Sequence, residues 1–175
     1  MKLLSCFSGI TLSLILGGVA AAGSVDRVDL TDDWESDTAI ASRTGVPIMI
    51  VFVTEACHYC ASLKQQVLLP LLKAGVLPDK VLVREFNIDR GGKIVDFDGE
   101  RVRTRIFLER YGIYATPTVM LVDYRGEPLT LPIVGYNEQV AYAEQLDETI
   151  GNAWETLVAL GTPRYSASHP PLAAN

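Results

Sequence analysis

The sequence has few cysteines, few histidines and no excess of positive charge. Its 175 residues include three Cys and two His, and 15 Lys and Arg against 21 Asp and Glu give a net charge of −6. It contains no run of Lys and Arg, so it lacks the basic footprint of nucleic-acid-binding proteins. With 49% apolar and 21% charged residues, the composition is that of a folded globular protein.

An extended apolar segment occurs only near the N-terminus. Met1-Lys2 is followed by apolar or small residues over 3–16 and by small residues over 17–22. This pattern is typical of a secretory signal peptide, and the run is shorter than the roughly 20 residues that span a bilayer. A short N-terminal anchor is the alternative. The predicted organisation is a signal peptide over 1–22, a domain over 23–161 and a flexible C-terminal tail over 162–175, in a periplasmic or secreted protein.

The cysteines of the predicted mature chain form one C-x-x-C motif. Cys6 leaves with the signal peptide, so only Cys57 and Cys60 remain. A disulfide between them closes a very small loop, so redox chemistry explains the pair better than structural stabilisation. A zinc site requires four ligands, and His58 and His169 are poorly placed to complete one. A copper(I) site formed by the two thiolates stays open as an alternative.

The periodicity of apolar residues indicates alternating helices and strands. The continuous apolar run over 48–53 is typical of a central strand buried on both faces. Pro70 should kink or end the helix that begins at Cys57, and Gly151 is a point where the last helix bends or splits. The order predicts an α/β fold with a mixed central sheet and helices on both faces. The predicted elements are helices at about 31–43, 57–72, 104–111 and 137–157, strands at 48–53, 81–89, 118–123 and 129–134 (an edge strand), and an insert at about 91–103 with a hairpin on an Asp-Gly turn.

A strand leading into C-x-x-C at the start of a helix resembles the thioredoxin superfamily. The resemblance extends to Asn-Ile-Asp at 87–89, to Tyr-Gly-Ile followed by Thr-Pro-Thr over 111–118, and to Gly-Glu at 126–127. It covers about residues 31–161 and implies the thioredoxin fold. It also implies a redox-active Cys57–Cys60 disulfide without a further cofactor or metal, and protein disulfides or dithiols as substrates.

The resemblance and helix geometry together suggest roles for individual residues. Cys57 lies in the first helical turn, where free N–H groups and the helix dipole stabilise a thiolate, and is the predicted nucleophile. Cys60, one turn further along and deeper, is the predicted resolving thiol. The resemblance implies that the Thr116–Pro117 bond is cis and faces the cysteines. It also implies that the Thr116 backbone pairs with the substrate while Pro117 leaves no competing donor.

The sequence departs from cytoplasmic thioredoxins around the motif. Val51 occupies the position of the buried aspartate six residues before the first cysteine, and Ala56 replaces the preceding tryptophan. The usual proton acceptor for the second thiol is therefore missing. Glu55 is a candidate substitute, and the favoured alternative is that it is a solvated acid at the end of the strand. A positive charge on His58 would favour the Cys57 thiolate. Tyr59 is expected to pack or to line the docking surface.

These features predict an extracytoplasmic thiol–disulfide oxidoreductase. We expect a monomer that reduces protein disulfides and receives electrons from a membrane partner. A disulfide oxidase or isomerase is the alternative within the same chemistry, and a copper(I) chaperone that uses the same cysteines is the alternative outside it. A redox-inert interaction domain is disfavoured because the C-x-x-C motif is intact.

Overall fold

A computed structural model describes residues 27–161 of the chain. The helices are α1 (Trp34–Thr44), α2 (His58–Leu63), a π-helical turn (Lys64–Leu68), α3 (Leu69–Lys73), a 3-10 turn (Ile88–Arg90), α4 (Thr104–Arg110) and α5 (Gln139–Ala159). The strands are β1 (Ile48–Val53), β2 (Leu82–Asn87), β3 (Lys93–Val95), β4 (Arg101–Arg103), β5 (Thr118–Val122) and β6 (Ile133–Val134). The predicted signal peptide over 1–22, the tail over 162–175 and His169 lie outside the described residues.

The main sheet has four strands in the order β2-β1-β5-β6. Strand β1 pairs with β2 in parallel and with β5 antiparallel, and β6 adds antiparallel to β5. Every residue of β1 is at most 2% exposed, as expected for a central strand covered on both faces. The predicted mixed sheet is therefore confirmed.

Helices cover both faces of this sheet and create two cores. Met49, Val51 and Val53 pack with residues of α2, α3 and α5 on one face. Ile48 and Ile50 point to the other face, because successive side chains of a strand alternate. The second core is largely aromatic and contains Trp34, Phe52, Phe86, Phe97, Phe107 and Tyr111.

The helix boundaries differ from the sequence prediction at two places. Asp33 rather than Thr31 caps α1, because the Asp33 carboxylate accepts a hydrogen bond from Ser36 N at 3.1 Å. The helical segment after Cys57 changes to a π-helical turn before it reaches Pro70. Pro70 then lies in the first turn of α3, and Gln66 O, four residues before it, accepts a hydrogen bond from Gln139 Nε2 at 2.9 Å.

The last strand and the last helix also depart from expectation. Strand β6 contains only Ile133–Val134, shorter than the predicted 129–134. Pro128 and Pro132 have no N–H group, so they cannot donate to a continuous ladder. Helix α5 continues through Gly151 without a break, since the packing of Ile150 and its other apolar residues against the sheet outweighs the low helix propensity of one glycine.

The insert between β2 and α4 forms the predicted hairpin. Strands β3 and β4 pair antiparallel around a turn in which Gly99 has φ +83°. Val95 N donates to Asp32 O at 2.9 Å, which ties the hairpin to the segment before α1. Arg110 of α4 adds a two-pronged ion pair with the buried Asp96 carboxylate, at 2.9 and 2.6 Å. Among residues 27–161, no helix has the length and apolarity needed to cross a membrane.

Candidate functional site: the dithiol at the start of helix α2

Cys57 and Cys60 are joined by a disulfide at the start of α2. Cys57 is the N-cap residue, and its Sγ accepts a hydrogen bond from Cys60 N at 3.0 Å. Cys60 is 2% exposed, whereas Cys57 is only partly buried. The outer sulfur is therefore the one that a second molecule reaches first, with the inner sulfur behind it.

The loop that carries Cys57 is held by the end of β2. Asp89 Oδ2 accepts a hydrogen bond from Glu55 N at 2.7 Å, and Asp89 N donates to Asn87 Oδ1 at 2.9 Å. The Asn-Ile-Asp segment at 87–89 thus braces the turn between β1 and α2. The sequence analysis noted this segment as part of the family resemblance. The parallel pairing of β1 and β2 shows that its role is to hold the loop before Cys57.

The structure brings the Thr-Pro-Thr segment to the same place. The Thr116–Pro117 peptide bond is cis, and the Thr116 hydroxyl lies 3.3 Å from that of Thr54 in the loop before Cys57. Pro117 O accepts a hydrogen bond from Gly135 N at 2.7 Å, which anchors the segment to the end of β6. Thr116 and Pro117 therefore lie beside the loop that leads to the dithiol, although about 60 residues separate them in sequence.

The three other predicted site residues are exposed. His58 and Tyr59 contact each other edge-to-face, with ring centroids 6.0 Å apart, and Tyr59 is 60% exposed. Tyr59 therefore forms surface next to the disulfide rather than core. The Glu55 side chain is also exposed, whereas Cys60 is buried. A proton can therefore pass from Cys60 to Glu55 only through solvent, or directly after the Glu55 side chain has moved inward.

The sequence analysis missed one charged pair behind the dithiol. Lys64 lies one helical turn after Cys60, and its Nζ is 2.9 Å from Glu85 Oε2. Glu85 pairs with Val51 across the β1–β2 ladder. The signal that could have found it is a glutamate in an otherwise apolar strand, next to the valine that replaces the family's aspartate.

No group of three or more His, Cys, Asp and Glu side chains is arranged to hold a metal ion in the described range 27–161. The reactive groups that the structure places at the site are the two sulfurs, with polar groups around them. An exposed sulfur backed by a buried one can take a disulfide bond from another molecule and pass it inward.

Comparisons with known proteins agree with this geometry. Residues 34–150 match the thioredoxin-like domain family. A poplar thioredoxin h has the same fold with a TM-score of 0.50 and 18% identity, over 70% of this chain and 96% of that one. A mutant of that poplar protein aligns with a TM-score of 0.53 and 19% identity, over 81% of this chain and 92% of its own.

A curated relative is the thiol:disulfide interchange protein DsbD of Ralstonia nicotianae. It is 20% identical over 127 residues, which are 73% of this chain and 19% of that protein. The chain thus spans about a fifth of the length of this relative. The family match covers most of the chain and includes the disulfide pair and the Thr-Pro segment. The chain therefore belongs to the thioredoxin-like domain family, and its redox-active C-x-x-C pair is Cys57–Cys60.

Proposed function

We propose that the protein is an extracytoplasmic, monomeric thiol–disulfide reductase that acts on disulfides of other proteins. The observation that carries this proposal is the asymmetry of the dithiol, with Cys57 at the surface and Cys60 buried behind it. The reductive direction is supported by the thioredoxin-like frame around the motif. The compartment is supported by the signal-peptide pattern over 1–22, and an oxidising compartment would require a membrane partner that supplies electrons.

The reaction uses both sulfurs in turn. The Cys57 thiolate attacks one sulfur of the substrate disulfide, forms a mixed disulfide and releases the other substrate sulfur as a thiolate. Deprotonated Cys60 then attacks Cys57 Sγ, closes the Cys57–Cys60 bond and releases the second substrate thiolate. Two electrons pass to the substrate. The hydrogen bond that Cys57 Sγ accepts from Cys60 N stabilises Cys57 as the thiolate of the first step.

The substrate chain docks on the surface that surrounds Cys57. The Thr116 backbone offers main-chain hydrogen bonds to an extended substrate segment, and Pro117 has no N–H group to compete. Tyr59 contributes exposed aromatic surface beside the disulfide. His58 favours the Cys57 thiolate when it carries a positive charge. Glu55 accepts the proton of Cys60 through solvent.

Variants of the two cysteines test their roles. Cys60→Ala is expected to accumulate mixed disulfides with substrate proteins, because the second attack is lost. Cys57→Ala is expected to trap few. Non-reducing gels followed by mass spectrometry of the linked peptides measure this, and equal trapping by both variants would contradict the assignment.

The reduction potential of Cys57–Cys60 tests the direction. Thiol alkylation in glutathione or dithiothreitol buffers is expected to give a value near that of thioredoxin, about −270 mV. A value near about −120 mV, as in a strong disulfide donor, would replace the reductase with an oxidase.

N-terminal sequencing of the protein recovered from the periplasm of a bacterial host tests the compartment. Cleavage near residue 22 is the expected result. An uncleaved chain in the cytoplasm would remove this part of the proposal.

A further inference from the structure

The insert assembles a positively charged cleft next to the redox site. The cleft has a volume of about 500 Å³ and opens between the end of β2, the hairpin and α4. Half-buried Ile88 and Leu108 contribute its apolar surface. The charged residues that line it are Lys93, Arg103 and Arg105.

Two of these three charges, on Lys93 and Arg103, are not neutralised by an ion pair among the described residues. Lys93 lies directly opposite Arg103 in the antiparallel β3–β4 pair, a placement of like charges that destabilises a hairpin. Ile94, the next residue of β3, points into the core. Because successive side chains of a strand point to opposite faces, Lys93 projects outward. Neither Lys93 nor Arg103 has an ion-pair partner within the part of the chain that the structure describes, whereas Arg105 pairs with Glu109.

The local charge is opposite to that of the whole chain. Residues 90–110 carry six Lys and Arg against four Asp and Glu, although the net charge of the chain is −6. The cations of the cleft are not contiguous in the sequence. Lys93 of β3 and Arg103 of β4 come together only when the hairpin forms. The cleft therefore presents positive charge that an anionic segment of another molecule can complement.

The cleft and the dithiol lie at the same end of the sheet, because β1 and β2 run parallel and Ile88 follows β2 as Cys57 follows β1. Ile88, at its edge, immediately precedes Asp89, whose carboxylate holds the backbone of Glu55. Glu55 lies two residues before Cys57. An extended substrate segment advances about 3.3 Å per residue, so a chain with its disulfide on Cys57 reaches the cleft after a few residues.

We propose that this cleft binds an acidic segment of the protein substrate. Its carboxylates face Lys93 and Arg103, and an apolar side chain contacts Ile88 and Leu108. The inference rests on the proposed function, since it concerns the substrate of the same dithiol. A concave, partly apolar cleft on a chain of net negative charge fits a peptide segment better than an anionic membrane, which the rest of the charge would repel.

Peptide disulfides of equal length test the proposal. Two peptides share one disulfide-bonded core and carry either Glu or Gln in the flanking segment. At low ionic strength, kcat/KM of the wild type is expected to be about tenfold higher for the Glu peptide, and the ratio should fall with added salt. The double variant Lys93→Gln/Arg103→Gln is expected to lose the preference.

A matched control removes two cations elsewhere. Arg43 and Lys73 are exposed at the ends of α1 and α3, which precede β1 and β2 and so lie at the sheet end opposite Cys57. Arg43→Gln/Lys73→Gln changes the net charge equally and should keep the preference for the Glu peptide. An equal loss in both double variants, or no preference in the wild type, would overturn the proposal.

A stability measurement separates docking from a structural role. Because Lys93 and Arg103 repel each other, their double replacement is expected to leave the urea midpoint unchanged or higher at low salt. A lower midpoint would assign the two cations to the fold instead. Cosedimentation of the wild type with phosphatidylserine vesicles, lost in the same variant, would replace the acidic peptide with a membrane. Failure of the wild type to reduce hydroxyethyl disulfide would refute the oxidoreductase itself, independently of the cleft.

Discussion

A partly exposed lysine and a nearly buried glutamate form an ion pair behind the helix that carries Cys60. The side chains of Lys64 and Glu85 are 31% and 11% exposed, and both Glu85 oxygens lie within 3.1 Å of Lys64 Nζ. Removing either partner leaves the other charge poorly solvated, whereas replacing both with apolar groups of similar size removes the desolvation cost as well.

A double-mutant cycle at this pair should therefore be strongly non-additive. Lys64→Met is expected to lower the free energy of unfolding by about 2–4 kcal/mol, because it leaves the nearly buried Glu85 carboxylate without its ion-pair partner. Glu85→Leu is expected to cost less, since Lys64 is the more exposed partner. The double variant should recover most of the loss. Urea unfolding of the oxidised protein measures all four corners, and additive losses would show that the pair is not coupled.

His58 should act on Cys57 through charge. It is exposed and adjacent to Cys57, so its replacement by alanine removes an imidazole that can place a positive charge beside the thiolate. We expect the pKa of the Cys57 thiol to rise and the reduction potential to fall in His58→Ala, because the thiolate loses stabilisation. The pH dependence of Cys57 alkylation in the Cys60→Ala background measures the first effect. Tyr59→Ala is the neighbouring control, and an unchanged Cys57 pKa in His58→Ala would refute the role.

At the scale of elements, one turn glycine is constrained by its surroundings as well as by its backbone. Gly126, in the turn after β5, has φ +84°, and a Cβ there would lie 2.4 Å from Phe97 and 2.8 Å from the Tyr111 hydroxyl. Gly112, after α4, has φ +61°, but a Cβ there meets nothing within 4 Å. The two positions share the backbone requirement and differ in packing.

The two glycine-to-alanine variants should therefore differ in stability. Gly112→Ala is expected to cost about 1–2 kcal/mol from the left-handed backbone alone. Gly126→Ala adds overpacking of the aromatic core and should cost roughly 1–3 kcal/mol more. It also displaces Tyr111, whose hydroxyl donates to Gly126 O at 2.8 Å. Thermal unfolding compares the stability of the two variants. Equal losses of stability would show that the aromatic core accommodates the Gly126 methyl group without an energetic penalty.

The start of helix α5 depends on one carboxylate. Glu138 is the N-cap residue, and its oxygens accept hydrogen bonds from Ala141 N and Val140 N, both at 3.0 Å. These bonds lower the pKa of Glu138 from its ordinary value of 4.5. The cap therefore stabilises the fold fully above pH 4.5, and its contribution is lost as the pH falls through the lower folded pKa.

The stability difference between the wild type and Glu138→Ala should follow that pH window. We expect the difference to be constant from pH 7 to about 5 and to shrink below pH 4.5. Urea unfolding at a series of pH values gives the comparison. Glu144→Ala is the control, because it removes an exposed carboxylate from the same helix and leaves the Glu138 cap intact. A difference that stays constant down to pH 3 would contradict the assignment.

At the scale of the whole molecule, folding and redox state are linked. The disulfide caps α2, and Cys60 packs in the core with Val51 and Leu63. A protein disulfide that is a good oxidant is one whose reduced fold is the more stable form. In a reductase the oxidised fold is the more stable of the two, because folding then favours the closed disulfide.

The proposed direction therefore predicts that the oxidised protein unfolds at higher urea concentration than the reduced protein. Each 30 mV of potential difference corresponds to about 1.4 kcal/mol. Parallel urea curves with and without dithiothreitol measure the order, and Cys57→Ala/Cys60→Ala provides a reference that reductant should not change. A more stable reduced form would favour the oxidase.

Much of the chain could be predicted from local pattern. The apolar run over 48–53 has only one stable placement, between two layers of helices, and the Asp-Gly turn at 98–99 predicts the hairpin. Boundaries were less accurate where prolines interrupt a ladder, as in β6, or where packing overrides a glycine, as in α5. The pairing of β1 with β5 has no local signal, because it joins segments about 70 residues apart.

The chemistry follows from local sequence, because a single C-x-x-C motif at a helix start, with Thr-Pro-Thr downstream, permits few other uses. The tertiary structure fixes how deeply each sulfur is buried, with Cys60 2% exposed as its helix position predicts, because burial depends on how α2 packs on the sheet. It alone placed Glu85 behind the dithiol and Lys93 opposite Arg103. Residues far apart in the chain acquire a common electrostatic role only when strand register sets their separation, and register is a property of the fold.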